Sequence, residues 1–319
     1  MASIHILGAG AMGSLWATHL HLAFKQKNQH SVQFLSTRTN PNKKISFSLK
    51  SPFLLATQST FETKLQIIDA AQLKTSSYDN PNIILICTKS YHTLEACLAL
   101  KPFLNEHSFL VLFQNGLGSQ HKIIEALHDI PIFAAVSTEG VNRLENGSLI
   151  HAGKGLTRIG PLNDKAKDTA TFECCVDALT YQGLATEATE NIWQALWEKL
   201  AINSAINPFT AILNCPNGEI IHSGLFKENW PILKTELAEM MTAAGFPISE
   251  TELEARVFQV IQNTRINIAS MLQDVRAKRK TEIEDINGFA SAFLLKNHLS
   301  NRVNKNLYEK VTALKIKEK

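Results

Sequence analysis

Lys199, Asn203 and Asn207 recur at successive i, i+4 positions in the stretch EKLAINSAINPFTA. Four residues advance a helix by about 400°, so the three side chains drift only slowly round one side and form a polar stripe. Trp193, Leu196, Trp197 and Leu200 supply apolar surface nearby, which predicts that the stripe borders a partly buried site. Amides are weaker helix formers than Glu or Lys, so two of them in register with a lysine point to hydrogen bonding. An ordinary solvated helix face is the alternative. Pro208 lacks an N–H and disfavours helical geometry at Asn207, which predicts a kink or an end there that could aim Asn207 across a cleft.

A second chemical signature is GAGAMG, residues 8–13, directly after the apolar run SIHIL and before a helical stretch of residues 12–27. Gly8 suits the tight turn, Gly10 lets backbone approach a pyrophosphate, and Gly13 lets the helix pack on the strand. Ala9, Ala11 and Met12 complete the loop whose amides face the phosphates. The second strand-like run, residues 31–36, leads into Ser36, Thr37 and Arg38, with no carboxylate to grip a ribose diol. Small hydroxyls followed by a guanidinium suit the 2′-phosphate of NADP(H), or else Arg38 is a solvated loop residue. Lys89 follows NIILICT, and Asn115 follows SFLVLFQ in the run QNGLG. Both sit where open α/β sheets bind ligands, at strand carboxyl ends, although a loop lysine and an Asn-Gly turn would look the same.

The run ASMLQDVRAKRKTEIEDING carries Thr281 and Glu284, whose spacing predicts a capping box that opens a helix with Glu282 in its first turn. Ser270 and Asp274 have no distinguishing spacing.

The elements that must hold these residues divide the chain in two. Near-continuous apolar runs at residues 3–7, 31–36, 82–88, 108–114 and 131–137 alternate with helical or loop stretches, which predicts a buried parallel sheet. After Gly160-Pro161 strand character fades, and helical patterns cover about residues 190–214, 226–244, 250–276 and 281–299. With 319 residues, two domains are expected: 1–187, a Rossmann-type dinucleotide-binding domain, and 188–319, a mostly α-helical substrate-binding and catalytic domain. The net charge of +3 is too small to argue for nucleic acid. No apolar run is long enough for a membrane span, and no basic leader precedes one, so a soluble cytoplasmic protein is expected. Five cysteines without CxxC spacing indicate neither a disulfide framework nor a metal site.

Taken together, GAGAMG, CTKS, QNGLG, KLAINSAINPFTAI, CPNGEI and SMLQDVRAKRKTEIEDING resemble the ketopantoate reductase (2-dehydropantoate 2-reductase) family from Ile4 to about Leu295. The resemblance implies reduction of ketopantoate to pantoate with NADPH on the route to coenzyme A. It makes Lys199 the general acid and Glu282 the partner that binds the substrate oxygen and tunes that lysine. Asn203, Asn207 and Ser270 would hold the keto acid, and Asn115 and Lys89 would contact cofactor and substrate. Gly8, Gly10, Gly13 and Arg38 match the phosphate-binding part. The implied partner is a small keto acid, with a homodimer as the candidate assembly. Glu139 stands where some members carry a neutral or basic residue, and residues 39–60 form a longish polar loop. Two alternatives stay open: a reductase of another small 2-keto acid, and a noncatalytic NADP-sensing protein, which would need neither Lys199 nor Glu282.

Overall fold

The computed structural model describes residues 3–27, 32–37, 43–54, 59–73, 81–144, 146–180 and 184–314. They form two compact units: Met1–Gln114 with Ser119–Trp193, and Asn115–Gly118 with Gln194–Lys319.

The first unit is built on one sheet of eleven strands: β1 (Ser3–Leu7), β2 (Val32–Ser36), β3 (Lys43–Lys50), β4 (Thr60–Asp69), β5 (Asn82–Ile86), β6 (Ser108–Leu112), β7 (Ile132–Ser137), β8 (Gly140–Arg143), β9 (Leu149–Gly153), β10 (Leu156–Pro161) and β11 (Ala185–Ala188). The order is β11-β10-β7-β6-β5-β1-β2-β4-β3-β9-β8. From β7 to β4 every neighbouring pair is parallel. Every residue of β5, β6 and β7 is buried, as expected of strands covered on both faces. Helices α1 (Ala11–Lys27), α2 (Ser90–Leu100), α3 (Ser119–Ala126) and α4 (Thr169–Leu179) belong to this unit.

Two sequence expectations are corrected here. Part of the stretch expected as a polar loop, residues 39–60, is strand β3, which pairs antiparallel with β4 from Lys43↔Ile67 to Lys50↔Thr60. Strand character also persists past Pro161, because β11 pairs with β10 from Leu156↔Ala185 to Ile159↔Ala188.

The second unit is helical: α5 (Ile192–Leu213, whose first two residues lie in the first unit), α6 (Gly224–Ala243), α7 (Glu250–Asn263), α8 (Ser270–Arg276), α9 (Phe289–Lys296) and α10 (Arg302–Thr312). The helix expected over residues 250–276 is two helices, because the turn at residues 217–222 bonds to the intervening segment. Asn217 N–H donates to Asn267 O at 3.1 Å and Gly218 N–H to Arg265 O at 3.0 Å.

Pro208 does not end α5, which continues to Leu213. Its ring removes the N–H that Ser204 O would accept in a regular helix. That carbonyl accepts instead from Asn287 Nδ2 at 3.1 Å, and Asn287 Nδ2 also donates to Asn304 Oδ1 at 3.1 Å. Asn304 in turn donates through Nδ2 to buried Glu236 at 3.0 Å, while the Glu236 carboxylate caps α10 by accepting from the backbone N–H of Val303 and Asn304, each at 2.9 Å. The proline is thus tolerated because a buried polar network satisfies the acceptor it orphans. Among the described residues no helix is long and apolar enough to cross a membrane.

Candidate active site

Helix α5 carries Lys199, Asn203 and Asn207 beside buried Leu196, Trp197, Leu200 and Ala201. Lys199 and Asn203 keep partial exposure while Asn207 is only 7% exposed, so the stripe descends from the surface into the unit. Neither asparagine side chain makes a hydrogen bond to another described residue, and neither has a polar atom among the buried unpartnered ones, so both amides keep groups open to an outside partner. Burial pulls the Lys199 ammonium down to about 8 from its ordinary value, and the negative charge of Glu282 opposes that fall.

Glu282 is 5% exposed and lies between α8 and α9. Its Oε2 accepts from Asn115 Nδ2 at 3.2 Å. The loop Asn115–Gly118 is pressed against the segment that bears Glu282: Leu117 N–H donates to Asp285 O at 2.9 Å. Gly116 has φ 81°, and a Cβ there would stand 2.2 Å from that same carbonyl oxygen, so only glycine fits. The Asn-Gly turn is therefore also the device that delivers an amide to a buried carboxylate. Lys199, Glu282 and Asn115 come together in the second unit. Ser270 opens α8 and is exposed.

The capping box expected at Thr281 and Glu284 does not form. Residues Glu284–Gly288 make a π-helical turn with no side-chain cap. Glu284 is engaged elsewhere, accepting from the Tyr308 hydroxyl at 2.6 Å, and among the described residues Thr281 Oγ1 meets only the Ile283 N–H at 3.4 Å. Glu282 therefore precedes the helical turn, and no first-turn or capping duty accounts for its burial.

In the first unit the glycine loop joins β1 to α1. A Cβ on Gly8 (φ 111°) would lie 2.6 Å from the Cys87 carbonyl carbon, and one on Gly13 would lie 2.1 Å from Gly8 O. Packing of the chain on itself explains both. Gly10 is different: its φ is not positive, and an added Cβ would meet nothing nearer than Cys87 O at 3.9 Å. The space above Gly10 fits a ligand that needs close backbone approach, which is the demand of a pyrophosphate. Ala9, Ala11 and Met12 are partly buried against the sheet core, and the first turn of α1 holds no acidic residue.

Lys89 is partly buried and sits at the start of α2, just beyond β5, without capping that helix through its side chain. Arg38 lies outside the described residues. Gln114, unremarked in the sequence beside Asn115, is buried and donates through Nε2 to Ile86 O at 2.7 Å and Thr88 O at 3.1 Å, which ties the ends of β5 and β6 together. Its signal was its place directly after a buried strand. Arg143 was missed too; its Nη1 donates to Ala9 O at 2.7 Å.

Glu139 is buried and structural: its Oε2 lies 2.7 Å from His151 Nε2 and accepts from Gly155 N–H at 2.9 Å. His151 Nδ1 lies 3.0 Å from the Ser51 hydroxyl, itself 1% exposed. The trio fastens β8, β9 and the end of β3 to one another.

The ketopantoate reductase PanE/ApbA family profile matches residues 4–164, and its C-terminal counterpart, ketopantoate reductase PanE/ApbA C terminal, matches residues 191–315. The chain is 31% identical to a 2-dehydropantoate 2-reductase of Vibrio cholerae over 98% of its own length and 97% of that protein. It is 35% identical to one of Shigella flexneri over 90% and 86%. Among solved structures, a D-mandelate dehydrogenase with NADH and anilino(oxo)acetate superposes with TM-score 0.80 at 20% identity, covering 98% of this chain and 97% of that one. A PanE/ApbA family ketopantoate reductase from Ralstonia eutropha gives 0.76 at 22%, with 98% of both chains covered. The fold is shared with both structures, and on the strength of the two profiles and the near full-length relatives the chain belongs to the ketopantoate reductase family.

Proposed function

We propose that this chain, an oxidoreductase by family, reduces the keto group of ketopantoate to give pantoate, with NADPH as reductant, on the route to pantothenate and coenzyme A. The observation that carries the reading is the set on and around α5: a lysine shifted to about 8 by burial, a buried carboxylate acting on it, and, on the same helical stripe, two amides with no side-chain hydrogen bond among the described residues. The first unit has the NADP-binding role and the helical unit the substrate-binding and catalytic role.

When bound, the reduced nicotinamide supplies the hydride taken up by the ketone carbon. Lys199 as the ammonium draws electron density onto the carbonyl oxygen and gives it a proton as alkoxide character develops, becoming the neutral amine that solvent reprotonates. A value near 8 leaves it charged at neutral pH yet acidic enough to give the proton up. Glu282 favours the charged ammonium and receives the substrate's new hydroxyl; Asn115 orients Glu282. Asn203, Asn207 and Ser270 supply uncharged hydrogen bonds to the keto acid. Gly8, Ala9, Gly10, Ala11, Met12, Gly13 and Lys89 form the dinucleotide contacts, and Arg38 reads the 2′-phosphate. A homodimer in the cytoplasm is the setting proposed.

The test is NADPH oxidation across a panel of 2-keto acids. Ketopantoate should give the highest kcat/KM by at least about tenfold, a difference of roughly 1.4 kcal/mol in transition-state binding. A panel led by another keto acid overturns the substrate assignment and leaves the reductase reading in place. Arg38→Ala should weaken NADPH far more than NADH, and equal weakening removes Arg38 as the phosphate reader.

A further inference from the structure

Arg143 closes strand β8, and its guanidinium reaches across 134 positions of sequence to the glycine loop. Its one hydrogen bond among the described residues goes to Ala9 O at 2.7 Å, a neutral acceptor. No carboxylate pairs with it among those residues, it is exposed, and the first turn of α1 is free of acidic side chains. A neutral carbonyl fixes a guanidinium without neutralising it, so a full positive charge is held at the rim of a loop that has open space over Gly10. The strand that bears Arg143 is itself fixed through Glu139, His151 and Ser51 at its other end.

We propose that Arg143 is a contact for the dinucleotide's pyrophosphate, adding a charged donor to the backbone amides of the glycine loop. The inference rests on the dinucleotide reading of that loop and goes beyond it in naming a residue outside the motif. The pyrophosphate is the fitting anion, because Ala9 belongs to the loop that faces it, whereas a 2′-phosphate is read beyond the end of β2. Planar guanidinium donors match phosphate oxygens, and one N–H engaged by Ala9 leaves four.

The experiment measures dissociation constants of NADPH, NADH and 2′-AMP for wild type, Arg143→Ala and Arg143→Gln by fluorescence and calorimetric titration, with apo melting temperatures alongside. Arg143→Ala should weaken both dinucleotides by about 10- to 100-fold and leave 2′-AMP, which has no pyrophosphate, unchanged. Arg143→Gln keeps a donor for Ala9 O but no charge, and should behave like Arg143→Ala. The loss should shrink as salt rises. Recovery of wild-type affinity by Arg143→Gln would make the residue a loop anchor only and overturn the proposal. So would dinucleotide affinities within twofold of wild type, or a loss confined to NADPH and 2′-AMP. If wild type binds neither dinucleotide, the cofactor reading fails first and this inference with it.

Discussion

Substituting alanine at Gly10 and at Gly13 separates what the glycine loop does for the fold from what it does for a ligand. At Gly13 the new methyl would stand 2.1 Å from Gly8 O and 3.1 Å from Cys87 Cβ, so backbone must move. Overpacking of this kind costs about 1–3 kcal/mol, which in a unit of this size lowers the apo melting temperature by roughly 2–12 °C. At Gly10 the nearest atom is 3.9 Å away and the backbone is compatible with alanine. There the substitution removes unfolded-state freedom and should leave apo stability unchanged or raise it by about 0.4–1 kcal/mol. The same methyl intrudes where a pyrophosphate would lie, and a clash of about 1–3 kcal/mol weakens NADPH by roughly 5- to 150-fold. Calorimetry of the apo proteins and NADPH titration read the two effects independently. The reasoning is refuted if Gly10→Ala binds NADPH within twofold of wild type, or if it destabilises the apo protein as much as Gly13→Ala does.

Other consequences are open to measurement. Because the Lys199 ammonium is held at about 8 and acts as the proton donor, kcat/KM for reduction should be full below that pH and fall as pH rises through it. Glu282→Gln removes the charge that raises this value, so in that variant the falling limb should move to lower pH; a wild-type profile flat from about pH 6 to 9.5 contradicts the assignment. Asn287→Ala leaves Ser204 O unsatisfied and should cost about 1–3 kcal/mol in urea unfolding. In a Pro208→Ala background, which restores an N–H for that carbonyl, the cost should be smaller by about 1 kcal/mol, and strict additivity would dismiss the compensation. Glu139→Ala breaks a buried carboxylate–imidazole contact and should destabilise by about 3–5 kcal/mol, whereas a cost under about 1 kcal/mol would deny it a structural role.

What the sequence made legible tracks how local each signal is. The central strands read plainly, since burial on both faces demands unbroken apolar runs such as NIILI and SFLVL. Strands β3 and β4 were hidden because one-faced strands are half polar; Ile45, Phe47 and Leu49 alternate correctly in a stretch otherwise read as loop. Helix α10 escaped notice although Val303, Leu307 and Val311 keep a buried i, i+4, i+8 spacing. The stripe on α5 was visible from spacing alone. Its meeting with Glu282 was not, because that carboxylate lies far along the chain from Lys199, and the Asn115–Glu282 bond likewise joins stretches remote in sequence. The misread capping box shows the limit in the other direction: Thr281 and Glu284 have the right spacing, and Tyr308 takes Glu284 away.

The central claim is that Lys199 protonates the keto oxygen. It is tested most directly by following loss of nicotinamide absorbance when the purified protein meets NADPH and ketopantoate, with Lys199→Ala measured beside wild type at matched fold and NADPH affinity. The account predicts rapid oxidation by wild type and a kcat lower by about two to four orders of magnitude in the variant. A variant within about tenfold of wild type would contradict it.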